Sequence, residues 1–396
     1  MSMRTLTIDG RDITVADGAT ILDACRALGI HIPTLCHADG LPPFTSCMVC
    51  VVKNVKTGKL TPACSAPAED GMVIEPVGND VITARRAAIE LMLSEHCGDC
   101  AGPCQTICPA DMNIPEMIRQ IAAGDWAAAA VTVKKDIPLP AILGRVCPAP
   151  CENGCRRKEL DAAVSICLLK RYAADKDLFS PSPWLPEKKP ATGKRVSIIG
   201  AGPAGLTVAW VLLQDGYDCV IYDDRAEPGG MLRYGIPRDR LPAEIIDKEI
   251  ALIASLGARF VFNTRVGKDK PFNEIRAESD AVAIATGGLS KDDATAFGLP
   301  LNSTGVIVNK TTGQTGIANV FLCAEPSRAK PMAVRAVATG KTIAESIRRI
   351  LSSEPLEPRV KPFNSRMGKL RDSEKAAFAA EASKDGRIEP TAQPDG

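Results

Sequence analysis

Histidine is scarce in this chain, with three in 396 residues, and no Ser-His-Asp hydrolytic set suggests itself. Charge of one sign is equally lacking. Lys and Arg number 48 against 47 Asp and Glu, a formal net charge of +1, which argues against nucleic acid or a membrane surface as partner. No run of about 18 apolar residues occurs, so no transmembrane helix is expected. The opening MSMRTLTIDGRDITV has neither an apolar h-region nor a cleavage site, and a cytoplasmic protein is expected. There is no internal repeat. The length suits two to four domains, and the 45% hydrophobic fraction is ordinary for a soluble protein.

Cysteine, by contrast, is plentiful and clustered. Of 15 cysteines, 12 fall between Cys25 and Cys155. Without an export signal such clusters bind metal more often than they form disulfides, and an odd total fits complete pairing poorly.

Local patterns divide the chain. Residues 1–80 read as a small β-rich unit, with Leu6–Ile8 and Ile13–Val15 forming a hairpin about Asp9-Gly10. A helix over Thr20–Leu28 ends at Gly29. Residues 81–185 read as mainly helical, with apolar spacings of three and four in Ile82–Ser94 and Ile114–Ala123. A proline-rich charged linker, SPSPWLPEKKPATGK, follows. Residues 195–352 alternate strand and helix, the pattern of a parallel sheet. The polar tail, 353–396, has no core of its own and is expected to stay mobile or dock on a partner.

Cys36, Cys47, Cys50 and Cys64 are spaced C-x10-C-x2-C-x13-C. Thiolates are soft charged ligands suited to iron-sulfur clusters. The intervening small and turn-forming residues let backbone N–H groups reach the sulfurs. Zinc sites more often arrive as two close pairs. The segment HIPTLCHADGLPPFTSCMVC resembles the N-terminal [2Fe-2S] domain of the large iron-sulfur subunit of NADH-quinone oxidoreductase. The same domain opens many NAD-linked hydrogenases and formate dehydrogenases. The likeness spans roughly residues 1–95. Cys25 lies outside the pattern and reads as a core residue.

Two further groups follow: Cys97-x2-Cys100-x3-Cys104-x3-Cys108-Pro109, and Cys147-Pro-Ala-Pro-Cys151-x3-Cys155. Seven cysteines exceed one cubane and nearly complete two. CGDCAGPCQTICPADMNIPEMI and GRVCPAPCENGC resemble the N-terminal helical domain of the bacterial glutamate synthase small subunit, found also in dihydropyrimidine dehydrogenase. That resemblance implies ligands crossing over between the groups. Cys97, Cys100, Cys104 and Cys155 would hold one [4Fe-4S] cluster, and Cys108, Cys147 and Cys151 the other. Where the family has a Glu or Gln near the second cluster, this chain has about Lys170. Cys167, three residues earlier on the same helical face, is the expected eighth ligand, with a buried packing residue as the alternative. His96 competes with Cys97 for one position, since His96-x3-Cys100 also resembles the His-ligated cluster of the NADH-quinone oxidoreductase subunit.

Arg195–Ile199 reads as a strand, followed at once by Gly200-Ala201-Gly202-Pro203-Ala204-Gly205 and a helix to about Gln214. The next strand, Cys219–Tyr222, ends in Asp223, 23 residues after Gly200. This is the dinucleotide fingerprint in its structural context: the glycines admit a pyrophosphate to the helix N-terminus, and the acid receives ribose hydroxyls. EPGGMLRYGIP, which carries Gly230, Met231 and Arg233, resembles the flavin-side segment of the glutamate synthase small-subunit family. AIATGG, with Thr286 and Gly287, resembles its second strand-turn. Glu325 stands where that family has the Asp that binds ribityl oxygens. The family also inserts a nicotinamide domain, but here only 16 residues separate Gly288 from Gly305. A βαβαβ half does not fit that interval.

The expectation is an α+β multidomain chain: a β-grasp ferredoxin domain, an α-helical bis-[4Fe-4S] domain, and a truncated Rossmann-like FAD domain. The cofactors implied are one [2Fe-2S], two [4Fe-4S] and FAD. Such a chain would be an electron-transfer subunit whose partners are other oxidoreductase subunits: an NADH/FMN-binding flavoprotein, a formate dehydrogenase- or hydrogenase-type catalytic subunit, or a ferredoxin. The rivals are a self-contained NAD(P)H-dependent reductase and a non-catalytic iron-sulfur scaffold.

Overall fold

The computed structural model describes residues 2–94, 100–303, 305–323, 332–357 and 371–381. Among them no helix is long and apolar enough to cross a membrane. The chain divides into two compact units, one ending at Cys100 and the other beginning at Ala101.

In the first unit, β1 (Met3–Ile8) and β2 (Arg11–Ala16) form the expected hairpin, closed by Asp9 and Gly10, both at positive φ. Positive φ at both turn residues matches the twist of the strands. α1 (Ile21–Ala27) starts at a capping box between Thr20 and Asp23. β3 (Val51–Asn54), β4 (Lys59–Pro62) and β5 (Val73–Glu75) complete a mixed sheet of order β2-β1-β5-β3-β4. Leu6, Ile8, Leu22, Val52 and Ile74 fill the space between α1 and the sheet, and Cys25 is buried among them, as expected of a core residue.

α2 (Asn79–Ser94) packs with this unit. Arg85 explains why: its guanidinium donates to the carbonyls of Val51 (2.7 Å) and Pro76 (3.2 Å), tying the helix to the sheet.

The second unit begins with α3 (Pro103–Ile107), α4 (Ile114–Ala122), α5 (Trp126–Asp136), α6 (Pro140–Val146), α7 (Pro150–Asn153) and α8 (Ile166–Leu178). A parallel sheet follows, built from β6 (Arg195–Ile199), β7 (Asp218–Tyr222), β8 (Arg259–Val261), β9 (Ala281–Ile284) and a last strand at Val320–Leu322. Between β6 and β7 lies α9 (Pro203–Gln214), and between β7 and β8 lie α10 (Met231–Tyr234) and α11 (Ala243–Ser255). α12 (Phe272–Ala277) precedes β9. After β9 come only α13 (Lys291–Ala296) and a small ribbon of β10 (Leu301–Asn302) with β11 (Gly305–Val306), before Val320–Leu322 (β12) and α14 (Ala333–Leu351). Sheet order is β12-β9-β6-β7-β8. All five strands run parallel, and the direction in which they are added reverses at β6, which opens a crevice at the carboxyl ends of β6 and β9. In the tail the described part is one exposed helix, α15 (Asp372–Glu381).

The proline-rich segment 180–194 does not separate two cores. Trp184 donates its N–H to Asp177, Lys134 donates to Asp177 and to the Trp184 carbonyl, and Lys189 N–H bonds Gln214. Leu139, Ile142 and Leu178 from the helices share one apolar cluster with Trp210, Ile246 and Ile250 from the sheet domain. Glu249, fully buried on α11, accepts the N–H groups of Ala141 (2.7 Å) and Ile142 (2.9 Å) at the start of α6. Burial outweighs those two bonds and pushes its carboxyl up to about 8. Lys341 on α14 donates to the Ala110 carbonyl and to Asp136. Helices and sheet thus form one body.

Candidate cofactor sites

In the first unit Cys47, Cys50 and Cys64 are buried and Cys36 is half-buried. The loop between Cys36 and Cys50 takes positive φ at Thr45 and Met48, and the Val49 N–H points at the Cys47 sulfur from 3.5 Å. Hydrogen bonds from Cys47 and Ser46 hold the Cys36 thiol down to about 7. Burial, together with the nearby Cys50, Cys36 and Cys47 sulfurs, pushes Cys64 up to about 11. All four sequence-predicted thiols therefore lie within electrostatic reach of one another.

In the second unit α3 and α7 pack side by side, interleaving the two later cysteine groups. Cys104 is raised by burial and by the neighbouring Cys155 and Cys108 sulfurs. Cys108, Cys147, Cys151 and Cys167 line a single small cavity with Met112, Ile166 and Lys170. The Cys167 thiol hydrogen-bonds the Cys147 sulfur, which holds Cys147 down to about 6 and pushes Cys167 up. The Cys167 N–H is received by Glu152 at 3.0 Å, fixing the first turn of α8 toward the cavity. Cys100 is exposed at the end of the first unit; His96 and Cys97 lie outside the described residues.

Among the described residues no three His, Cys, Asp or Glu side chains converge as a single metal ion would require. The thiols instead face shared spaces from separate elements. That donor chemistry suits a polynuclear cluster, in which each iron takes two thiolates in a [2Fe-2S] centre and one in a [4Fe-4S] centre.

Gly144 lets α8 bring Cys167 to this cavity. A Cβ there would stand 2.8 Å from the Arg171 Cα and 2.6 Å from its Cβ, so α6 and α8 touch backbone to backbone. Gly144→Ala is expected to cost about 1–3 kcal/mol through overpacking. It should also displace Cys167, one turn before Arg171. Thermal denaturation, together with iron per chain, measures both effects.

The crevice of the parallel sheet holds a cleft of about 590 Å³. Gly200, Gly202, Pro203, Ala204, Asp223, Gly230, Met231, Thr286 and Gly287 all line it. Gly205 lies behind it, where a Cβ would strike the Gly200 carbonyl oxygen at 2.0 Å; this is the tight strand-helix contact of the fingerprint. Gly202 has open space where its Cβ would point, leaving room for a ligand against the N-terminus of α9. The buried Asp223 carboxylate accepts the N–H groups of Ala201 (2.6 Å) and Arg225 (2.9 Å), so it also shapes the phosphate loop.

Arg233 does not line the cleft. Its buried guanidinium donates to the Pro228 carbonyl and pairs with Asp247, pinning the Gly229-Gly230 turn from behind. Glu325 lies outside the described residues. The cleft wall also includes Arg225, Arg265 and Phe297, and Met332, Ala333 and Ala336 at the start of α14, none of which carries a local motif.

The first turn of α14 stands between the two cavities. Met332, Ala333 and Ala336 line the cleft, while Val334 lines the cavity of Cys108, Cys147, Cys151 and Cys167. Residues of this one turn therefore line both sites.

Three family models match successive stretches of the chain. Residues 2–78 match the family described as 2Fe-2S iron-sulfur cluster binding domain, residues 80–180 match dihydropyrimidine dehydrogenase domain II, 4Fe-4S cluster, and residues 198–260 match NAD(P)-binding Rossmann-like domain. The chain thus joins iron-sulfur domains of both types to a Rossmann-like nucleotide-binding domain. It is 40% identical over 187 residues, 47% of its length, to the NADPH-Fe(3+) oxidoreductase subunit beta of Geobacter sulfurreducens, covering 28% of that protein. It is 40% identical over 207 residues, again 47% of its length, to the NADP(+)-dependent formate dehydrogenase subunit beta of Moorella thermoacetica, covering 29% of it. With the glutamate synthase (NADPH) small chain of Bacillus subtilis it shares 37% identity over 210 residues, 50% of this chain and 42% of that one. These relatives are oxidoreductase subunits, and the chain spans less than half the length of each.

Proposed function

We propose that the chain is an iron-sulfur flavoprotein electron-transfer subunit of a larger NAD-linked oxidoreductase, of the formate dehydrogenase, hydrogenase or diaphorase kind. Cys36, Cys47, Cys50 and Cys64 hold a [2Fe-2S] cluster. Cys108, Cys147, Cys151 and Cys167 hold one [4Fe-4S] cluster. Cys104 and Cys155, with Cys100 and either Cys97 or His96, hold the other. The cleft takes FAD. The observation that carries this reading is the shared wall: α14 lines the cleft on one side and a four-cysteine cavity on the other.

Flavins exchange one or two electrons and iron-sulfur clusters one at a time, so their apposition supplies a two-to-one electron splitter. The protein's own contribution is positional. The α9 N-terminus and Gly202 receive a pyrophosphate, Asp223 braces the loop beneath it, and the α14 turn keeps water out of the space between the cavities. The substrate site lies on a partner subunit or an electron-carrier protein. Clustered thiols that must stay reduced suit the cytoplasm.

Anaerobically reconstituted full chain should contain about ten irons, from one [2Fe-2S] and two [4Fe-4S] clusters, with one FAD. Cys47→Ser should remove about two irons and the [2Fe-2S] EPR signal alone. Wild-type protein that holds two irons or fewer after reconstitution would refute the cubane assignment.

A further inference from the structure

We infer that Lys170 is a positioning residue of electrostatic kind, a buried cation that raises the reduction potential of the cluster at Cys108, Cys147, Cys151 and Cys167. The inference rests on the cluster reading above and adds to it the control of one site's potential.

Lys170 is 5% exposed and lines the same cavity as the four cysteines. Its Nζ donates to the Leu143 carbonyl at 3.3 Å. Among the described residues no carboxylate comes within ion-pair distance of it. An ammonium buried this deeply needs an anion nearby, and one carbonyl oxygen is a weak substitute. What shares the cavity with it instead is sulfur, from Cys108, Cys147, Cys151 and Cys167.

The geometry keeps the charge in place. Cys167 and Lys170 lie one turn apart on α8, and the Cys167 sulfur lies 3.7 Å from the same Leu143 carbonyl and 3.6 Å from that of Gly144. The Leu143 carbonyl, on the helix that meets α8 at Gly144, is the acceptor that anchors the ammonium. Four thiolates make the site strongly anionic, and one further electron adds to that charge without moving a proton. A fixed cation in a low-dielectric cavity favours the reduced form, and net charge and burial are among the factors that set cluster potentials. Because this cavity adjoins the cleft across α14, its potential governs how readily an electron leaves the flavin side.

The test is an EPR-monitored redox titration of the anaerobically reconstituted full chain, comparing wild type with Lys170→Met and Lys170→Arg. Lys170→Met should keep its iron and shift one [4Fe-4S] couple at least tenfold toward the oxidised form, 59 mV for one electron. The [2Fe-2S] couple should not move, and Lys170→Arg should return most of the shift. Full iron with an unmoved potential in Lys170→Met would overturn the inference and leave the cluster reading intact. So would an equal shift of every cluster. If Lys170→Met loses the cluster, Lys170→Gln is titrated in its place, and loss of iron there as well would mean that Lys170 holds the cavity together rather than tuning it. Iron-poor wild-type protein would instead bring down the cluster reading, before any variant is compared.

Discussion

Cys167→Ala is expected to lose about four of the chain's roughly ten irons while the remaining clusters keep their spectra. The side chain is not a bystander in a helix. It lines the cavity with Cys108, Cys147 and Cys151, and its thiol bonds the Cys147 sulfur directly. Removing it leaves three thiolates for a four-iron core. Cys167→Ser tests the ligand role more gently, since a hydroxyl keeps the shape but binds iron less well. Full iron in both variants would make Cys167 a packing residue and require the eighth ligand elsewhere. The two variants are read by iron analysis and EPR, with Cys25→Ala, a change in the first unit's apolar core, as the control that should leave iron unchanged.

Flavin bound to this chain alone is expected to be reduced negligibly by NADH or NADPH, yet fully by dithionite. The cleft lies at the ends of strands of one parallel sheet, beyond Ile199 and Tyr222. Between β9 and β12 the chain spends its residues on α13 and the β10-β11 ribbon. Neither is a strand-turn-helix phosphate loop, which a second dinucleotide needs. Asp223→Ala should weaken FAD binding by about 1–3 kcal/mol, because the Ala201 N–H of the phosphate loop loses its buried acceptor. Rapid stoichiometric bleaching by NADH would mean that nicotinamide stacks on an exposed flavin, and the self-contained reductase would replace the electron-transfer subunit. Stopped-flow absorbance of the flavin band separates the two.

Much of the architecture was legible in the residues because its signals are local. Asp9-Gly10 sets a hairpin by positive φ, Thr20 and Asp23 cap a helix between them, and Gly200 to Gly205 dictates a strand-turn-helix by sterics alone. Cysteine spacing likewise shows which sulfurs are available. Other readings failed where the deciding contact was distant. Arg233 sits in a flavin-like motif, yet Asp247 and the Pro228 carbonyl draw its guanidinium behind the turn. The proline-rich stretch looks like a free linker, yet Asp177 captures the Trp184 N–H.

By itself, then, the sequence determined the elements, the thiol groups and the phosphate loop, since each depends on conformations and spacings within a few residues. Only the tertiary structure decided that Cys167 and Lys170 face Cys108, Cys147 and Cys151, that Arg225 and Arg265 border the cleft, and that one turn of α14 separates two cavities. Those are pairings between residues far apart in the chain. They follow from how closely helices can approach, as at Gly144 against Arg171, and no local pattern encodes such an approach before the chain has packed.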